Sequence, residues 1–186
     1  MARKFNKHLT SWKIRANVKI MLNVFDLDLW GLDKWAWRVY NRYIKNKGDT
    51  PMTKTFYWDM DGVLADFHTA YAKDRAVALK RDAMANLNPF TENVAIINDM
   101  IAQGITCYIL TKAANADGAQ GKIDWLKKYV PTMDIDHIII ITKGRKVDHM
   151  KEEGILIDDD ATNCKQWNKA GYTSIYLETK GQRVEW

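Results

Sequence analysis

Asp59 and Asp61 stand two positions apart at the end of an apolar run, in Tyr57-Trp58-Asp59-Met60-Asp61-Gly62. Residues i and i+2 of an extended chain point the same way, so both carboxylates would emerge together at a strand tip. Gly62 then lets the chain turn. Such a pair can hold a hard cation through oxygen, and it can divide a nucleophile's work from an acid/base's. Both uses need partners from elsewhere in the chain.

The elements that would supply those partners follow in order. Thr55–Trp58 reads as a first strand, and residues 65–86, rich in Ala, Lys and Arg, read as helical up to Asn88-Pro89. Thr91–Gln103 reads as a helix closed by Gly104, with Thr91 as its N-cap. Ile105–Leu110 is a second predicted strand, 120–129 a helix ended by Pro131, Ile138–Ile141 a third strand and 146–153 a short helix. Ile155–Ile157 is a fourth strand, 163–170 a helix stopped by Gly171, and Ser174–Leu177 a fifth strand. Alternation of this kind predicts an α/β fold with a doubly wound parallel sheet.

Sites in such sheets lie beyond the carboxyl ends of the strands, near the reversal of strand order. The second strand delivers Thr111 and Lys112 there. The third leads to Thr142, Lys143, Arg145 and Lys146, and the fourth to Asp158, Asp159 and Asp160. Carboxylates from two strands, a hydroxyl from another and a lysine outline a site for a cation and a phosphoryl group. Lys143 and Lys146 are both placed to be that lysine. Asp66 reads as a cap for the helix behind it, and His8, His68, His137 and His149 form no metal-ligand spacing.

Charge divides the chain. Residues 1–58 carry 12 lysines and arginines against 4 acidic residues, and the remainder 16 against 19. A basic N-terminal extension (1–51) ahead of a main domain (52–186) is therefore expected, with the boundary near Gly48-Asp49-Thr50-Pro51. The extension has helical apolar spacing and four of the eight tryptophans, which reads first as packing onto the main domain or a partner and second as a nucleic-acid or membrane surface. Its Phe25-Asp26-Leu27-Asp28-Leu29-Trp30-Gly31 imitates the Asp-x-Asp pattern without a glycine at the turn, and reads as a helix junction capped by Asp26 or Asp28. The composition, 47% hydrophobic and 27% charged, is that of a soluble globular protein, and no apolar run is long enough for a membrane span. Cys107 and Cys164 read as free thiols in a reducing cytoplasm.

The stretches around these residues resemble the motifs of the haloacid dehalogenase-like phosphohydrolases. Asp59-Met60-Asp61-Gly62-Val63-Leu64-Ala65-Asp66-Phe67 is most similar to the 5′(3′)-deoxyribonucleotidases and their phage and bacterial relatives. Ile109-Leu110-Thr111, Trp125-Leu126-Lys127-Lys128-Tyr129-Val130-Pro131 and Ile155-Leu156-Ile157-Asp158-Asp159, with Asn163, Trp167, Ala170 and Gly171, extend the likeness over roughly residues 52–178. The resemblance implies that Asp59 attacks phosphorus, and that Asp61 protonates the leaving oxygen and then activates water. It implies Mg²⁺ held by Asp59, the Asp61 carbonyl and Asp159, with Asp158 close behind. Thr111 and Lys112 would bind the phosphoryl group, Lys146 would be the lysine (by Lys146-Val147-Asp148), and Phe67 would stack on a nucleobase.

The chain also departs from those relatives. Only about fifty residues separate Asp61 from Thr111, so the cap insert (about 66–90) is small, and Phe67–Phe90 holds no tryptophan. Lys112-Ala113-Ala114 lacks the hydroxyl residue and proline of the mammalian members, and Asp160 replaces an arginine. The resemblance therefore implies a Mg²⁺-dependent phosphomonoesterase with a small phosphomonoester substrate, first a 5′-deoxynucleotide. A phosphosugar or a phosphorylated nucleic-acid end, held with the help of the extension, is the alternative substrate. A non-catalytic interaction module is the alternative class.

Overall fold

The computed structural model describes residues 55–178 and 180–184. The expectations for residues 1–54, including the helical extension, its boundary and the Asp26/Asp28 junction, lie outside the described residues.

Five strands form one parallel sheet: β1 (Thr55–Trp58), β2 (Cys107–Lys112), β3 (Ile138–Ile141), β4 (Gly154–Asp158) and β5 (Ser174–Tyr176). Their order is β3-β2-β1-β4-β5. The chain thus winds outward from β1 in one direction, returns, and winds outward in the other. The reversal lies between β1 and β4, and in such sheets the crevice beyond that point is where ligands bind. The expected doubly wound α/β fold is observed.

All four β1 residues are buried, as a strand covered on both faces requires. Register aligns Trp58 with Ile109 on β2 and with Ile157 on β4. Asp59 and Asp158 therefore stand side by side one residue beyond that level, at the ends of adjacent strands. On one face Tyr57, Leu110, Leu156 and Trp167 form a buried cluster. Burying each leucine there contributes roughly 1.5–3 kcal/mol, enough to hold the strand ends in place. The Tyr57 hydroxyl donates to the Glu152 carbonyl and accepts from the amides of Lys151 and Glu152, which fixes the turn leading into β4.

The helices are α1 (Phe67–Lys73), α2 (Arg81–Ala85), α3 (Thr91–Ala102), α4 (Ala116–Tyr129) and α5 (Ala161–Lys169), with short 3₁₀ turns at Arg75–Leu79, Ile135–His137 and Lys146–His149. Three differences from the sequence reading have local causes. The single helix expected over 65–86 is broken into α1, a 3₁₀ turn and α2. Asp74 takes extended backbone and accepts from the Ala76 amide, and Lys80 is extended as well. Thr91 is the first helical residue rather than the cap; Phe90 holds that place, without a side-chain cap bond. α4 begins at Ala116, four residues earlier than expected, because the Asn115 side chain accepts from the Gly118 amide. In addition, β2 is shifted two residues along the chain from the expected Ile105–Leu110, so that Thr111 and Lys112 belong to the strand, and the expected 146–153 helix is only a 3₁₀ turn.

Gly121 lets α2 and α4 approach closely: a Cβ there would lie 2.4 Å from the Arg81 carbonyl oxygen. The Trp125 indole donates to the Leu87 carbonyl. Together these fasten α2 and the residues just after it to α4. Among the described residues, no helix is long and apolar enough to cross a membrane.

Candidate active site

A pocket of about 390 Å³ opens at the carboxyl ends of the strands. Asp59, Asp61, Phe67, Thr111, Lys112, Lys146 and Asp159 all line it, so the structure brings most of the residues singled out in the sequence to one place. Asp158 lies directly beneath, with no exposure. Lys143 is exposed and is not among the lining residues, which separates the two lysines the sequence left open.

Lys146 is the centre of one charged cluster. Its side chain is 2% exposed, and Nζ lies 2.8 Å from Asp59 Oδ1 and 2.7 Å from Asp158 Oδ2. A buried ammonium is costly unless paired and hydrogen-bonded. Burial pulls the Lys146 pKa down, but Asp59 and Asp158 more than offset it, so the net shift is upward and the lysine stays charged. Asp158 is pushed up to about 6 by burial and by the neighbouring Asp59 charge, with Lys146 pulling the other way. It also accepts from the Asp160 amide and from the Asn163 side chain. Asp158 is thus a buried positioning group that fixes Lys146 and the turn after β4.

The three consecutive aspartates have separate tasks. Asp158 faces inward. Asp160 caps α5, accepting from the Thr162 amide at 2.7 Å. Asp159 turns into the pocket, where His68 Nε2 lies 3.2 Å from its Oδ2 and the Lys180 ammonium also reaches that oxygen. Gly62 is what allows this. Its φ is +79°, and a Cβ there would lie 2.2 Å from Asp159 Oδ2. Gly62→Ala should therefore cost about 1–2 kcal/mol for the left-handed backbone alone, and also push Asp159 away. A lowered denaturation midpoint together with weaker divalent-cation binding by calorimetry is the expected result; an unchanged midpoint and affinity would contradict it.

Asp59, Asp158 and Asp159 each offer a carboxylate oxygen, and the three oxygens lie within 4.8 Å of one another. Hard oxygen donors at that spacing fit a divalent cation, and the cluster can hold a metal ion. The carboxylate of Asp61 is not in this set. It is held instead by a second lysine.

That lysine is Lys122, which the sequence reading missed. Its side chain is 2% exposed, and Nζ donates to Asp61 Oδ1 at 2.6 Å and to Thr111 Oγ1 at 3.0 Å. The signal was present: Gly118, Gly121, Lys122, Trp125 and Leu126 form the buried face of α4, and a lysine among them needs a partner. Desolvation raises the pKa of Asp61 and the Lys122 charge pulls it back. Asp59 and Asp61, two residues apart, thus have different lysines and different environments.

The rim is mixed. Lys112 donates to Asn163 Oδ1 at 3.3 Å. Phe67 stacks on Tyr71 with centroids 5.3 Å apart, and Tyr71 is 39% exposed. Asp66 accepts from the Thr69 amide as the cap of α1. Lys180 carried no sequence signal that marked it as a pocket residue, and His68 stood near the expected site mouth without a role of its own; both line the pocket.

No family model and no curated protein matches this chain. Among solved structures, it is similar to a hydrolase from Pseudomonas syringae, at 16% sequence identity over 70% of this chain and 87% of that one, with a TM-score of 0.46.

Proposed function

We propose that the chain is a Mg²⁺-dependent phosphomonoesterase of the haloacid dehalogenase type, acting through an aspartyl-phosphate on Asp59. The observation that carries this reading is the division of two neighbouring carboxylates between two buried lysines. Asp59 faces Lys146 as a member of the cation-competent cluster, and Asp61 faces Lys122 outside it.

Oδ1 of Asp59 accepts from the Met60 amide at 2.8 Å and pairs with Lys146, which leaves Oδ2 for attack on phosphorus. As that P–O bond forms, the ester P–O bond breaks, and the leaving oxygen takes a proton from Asp61. Water then attacks the aspartyl-phosphate, giving its proton to the Asp61 carboxylate; inorganic phosphate leaves and the Asp59 carboxylate is restored. Environment supports the roles: an acid/base needs a pKa moved towards working pH, and Asp61 is raised by desolvation. Thr111 Oγ1 accepts from Lys122, so its own hydrogen is available to a phosphoryl oxygen. Mg²⁺ held by Asp59 and Asp159, above Asp158, would supply positive charge against the transferring phosphoryl oxygens.

The substrate proposed first is a 5′-deoxynucleotide. Phe67 at the pocket wall, stacked on half-exposed Tyr71, supports an aromatic platform for a base. The test is phosphate release by the full chain from a panel holding dTMP, dUMP, phosphosugars and 5′-phosphorylated oligonucleotides. Release with Mg²⁺ that stops on chelation, with nucleotides preferred, is expected. Preference for oligonucleotides or phosphosugars would overturn the substrate, and no release from any member would overturn the enzymatic reading.

A further inference from the structure

The chain does not end its structural work at β5. Residues 180–184 run back across the turn that follows β1 and are tied there at several points. The Gly181 amide donates to the Gly62 carbonyl at 2.8 Å. Gly181 has φ +69°, and a Cβ on it would lie 2.3 Å from the Phe90 ring, so no other residue fits against that ring. Asn93 on α3 is fully buried and bridges the two segments. Its Nδ2 donates to the Val63 and Gln182 carbonyls, and its Oδ1 accepts from the Val184 amide. Val184 has no exposure. A segment anchored this way places its side chains reproducibly, and the side chain it places in the pocket is Lys180.

Four lysines stand around the site, and they are not equivalent. Lys146 and Lys122 are each 2% exposed and each held on carboxylates, so they serve the protein's own charges. Lys112 and Lys180 stand at the rim. The charged side chains lining the pocket are Asp59, Asp61, Asp159 and Asp160 against Lys112, Lys146 and Lys180. Without Lys180 the wall would be dominated by carboxylates that repel any phosphate-bearing ligand. Lys180 is 43% exposed, it pairs with Asp159, and its ammonium carries three donors. It has both the position and the freedom to meet an incoming anion.

We infer that the C-terminal segment is a built wall of this pocket and that Lys180 is a substrate-binding residue, contacting the anionic group of a phosphomonoester. The inference rests on the phosphomonoesterase reading for the ligand's identity, but not for the test. Arg183 supplies the control: it lies on the same segment with the same charge, and its side chain approaches Glu92 at 3.9 Å outside the pocket.

The experiment is calorimetric titration of inorganic phosphate into the full-length chain with Mg²⁺ present, comparing wild type, Lys180→Ala, Lys180→Arg and Arg183→Ala. Removing one charge-assisted hydrogen bond at a half-exposed position should weaken phosphate binding about tenfold. Lys180→Ala is expected to show that loss, Lys180→Arg to recover most of it and Arg183→Ala to match wild type. With the preferred monoester, Lys180→Ala should raise KM by a similar factor and leave kcat nearly unchanged. Unchanged phosphate affinity in Lys180→Ala overturns the inference, as does an equal loss in Arg183→Ala, which would mean general surface charge. Tighter Mg²⁺ binding in Lys180→Ala with unchanged phosphate affinity also overturns it, since Lys180 would then only balance Asp159. If wild type binds phosphate through Lys180 yet hydrolyses nothing, the enzymatic reading fails alone. If it hydrolyses monoesters and Lys180→Ala is unchanged in phosphate affinity and KM, this inference fails alone.

Discussion

Asp59→Asn is expected to lower phosphate release at least ~10³-fold while the fold survives, because the substitution removes the attacking oxygen and little else. Asn keeps the shape, and its Oδ1 can still accept from the Met60 amide as Asp59 does. The loss falls on Lys146, which keeps Asp158 at 2.7 Å but gives up one charged partner. Exchanging one charge-assisted bond for a neutral one should cost about 2 kcal/mol, well within the stability of a domain this size. A circular dichroism spectrum close to wild type, a denaturation midpoint lowered by several degrees and phosphate release at the detection limit are therefore predicted together. An Asp59→Asn protein that turned over within tenfold of wild type would exclude Asp59 as the nucleophile, whatever the pocket looks like. Retained activity of that kind would point instead to water attacking directly, with Asp59 serving only the cation.

Legibility in the sequence followed the physics of each element. The strands were readable because a parallel strand covered on both faces must be a run of apolar residues, as Phe56-Tyr57-Trp58 and Ile138–Ile141 are. The polar residues at their ends followed, since a strand can deliver a side chain to the crevice only from its tip. Asp59, Asp61, Thr111, Lys146 and Asp159 came out that way, and all line the pocket. Helix interiors read less well. Nothing in the alanine-rich 65–86 run announced that Asp74 would leave helical backbone to cap a 3₁₀ turn. The residues that were missed share a cause as well. Lys122 comes from the middle of a helix and Lys180 from beyond the last strand, so neither sits at a strand tip. His68 was visible near the site mouth, but its partner Asp159 is about ninety residues away in the chain, and only tertiary contact joins them.

Lys122→Met carries the second large effect and tests that missed residue. Methionine matches much of the lysine stem, so the buried face of α4 stays filled while the charge between Asp61 and Thr111 disappears. Desolvation already raises the pKa of Asp61, and Lys122 is the charge that most opposes the rise. Without it Asp61 holds its proton more tightly. Protonated Asp61 can still give a proton to a leaving oxygen, but it cannot take one from water. Formation of the aspartyl-phosphate should therefore survive and its hydrolysis should slow, by about 10²-fold or more, the usual scale of a lost acid/base contribution. Pre-steady-state measurement should show a burst of released alcohol near one equivalent per enzyme, followed by slow turnover. Raising the pH should recover part of the slow phase, because a carboxyl with a raised pKa ionises as pH climbs through it. The folded chain should meanwhile lose stability from Asp61 left partly buried without its cation, about 3 kcal/mol as an upper bound given its 23% exposure. A purely structural Lys122 would lower the denaturation midpoint and scale both kinetic phases together, without a burst. Linear product release at the wild-type rate would remove Lys122 from the reaction altogether.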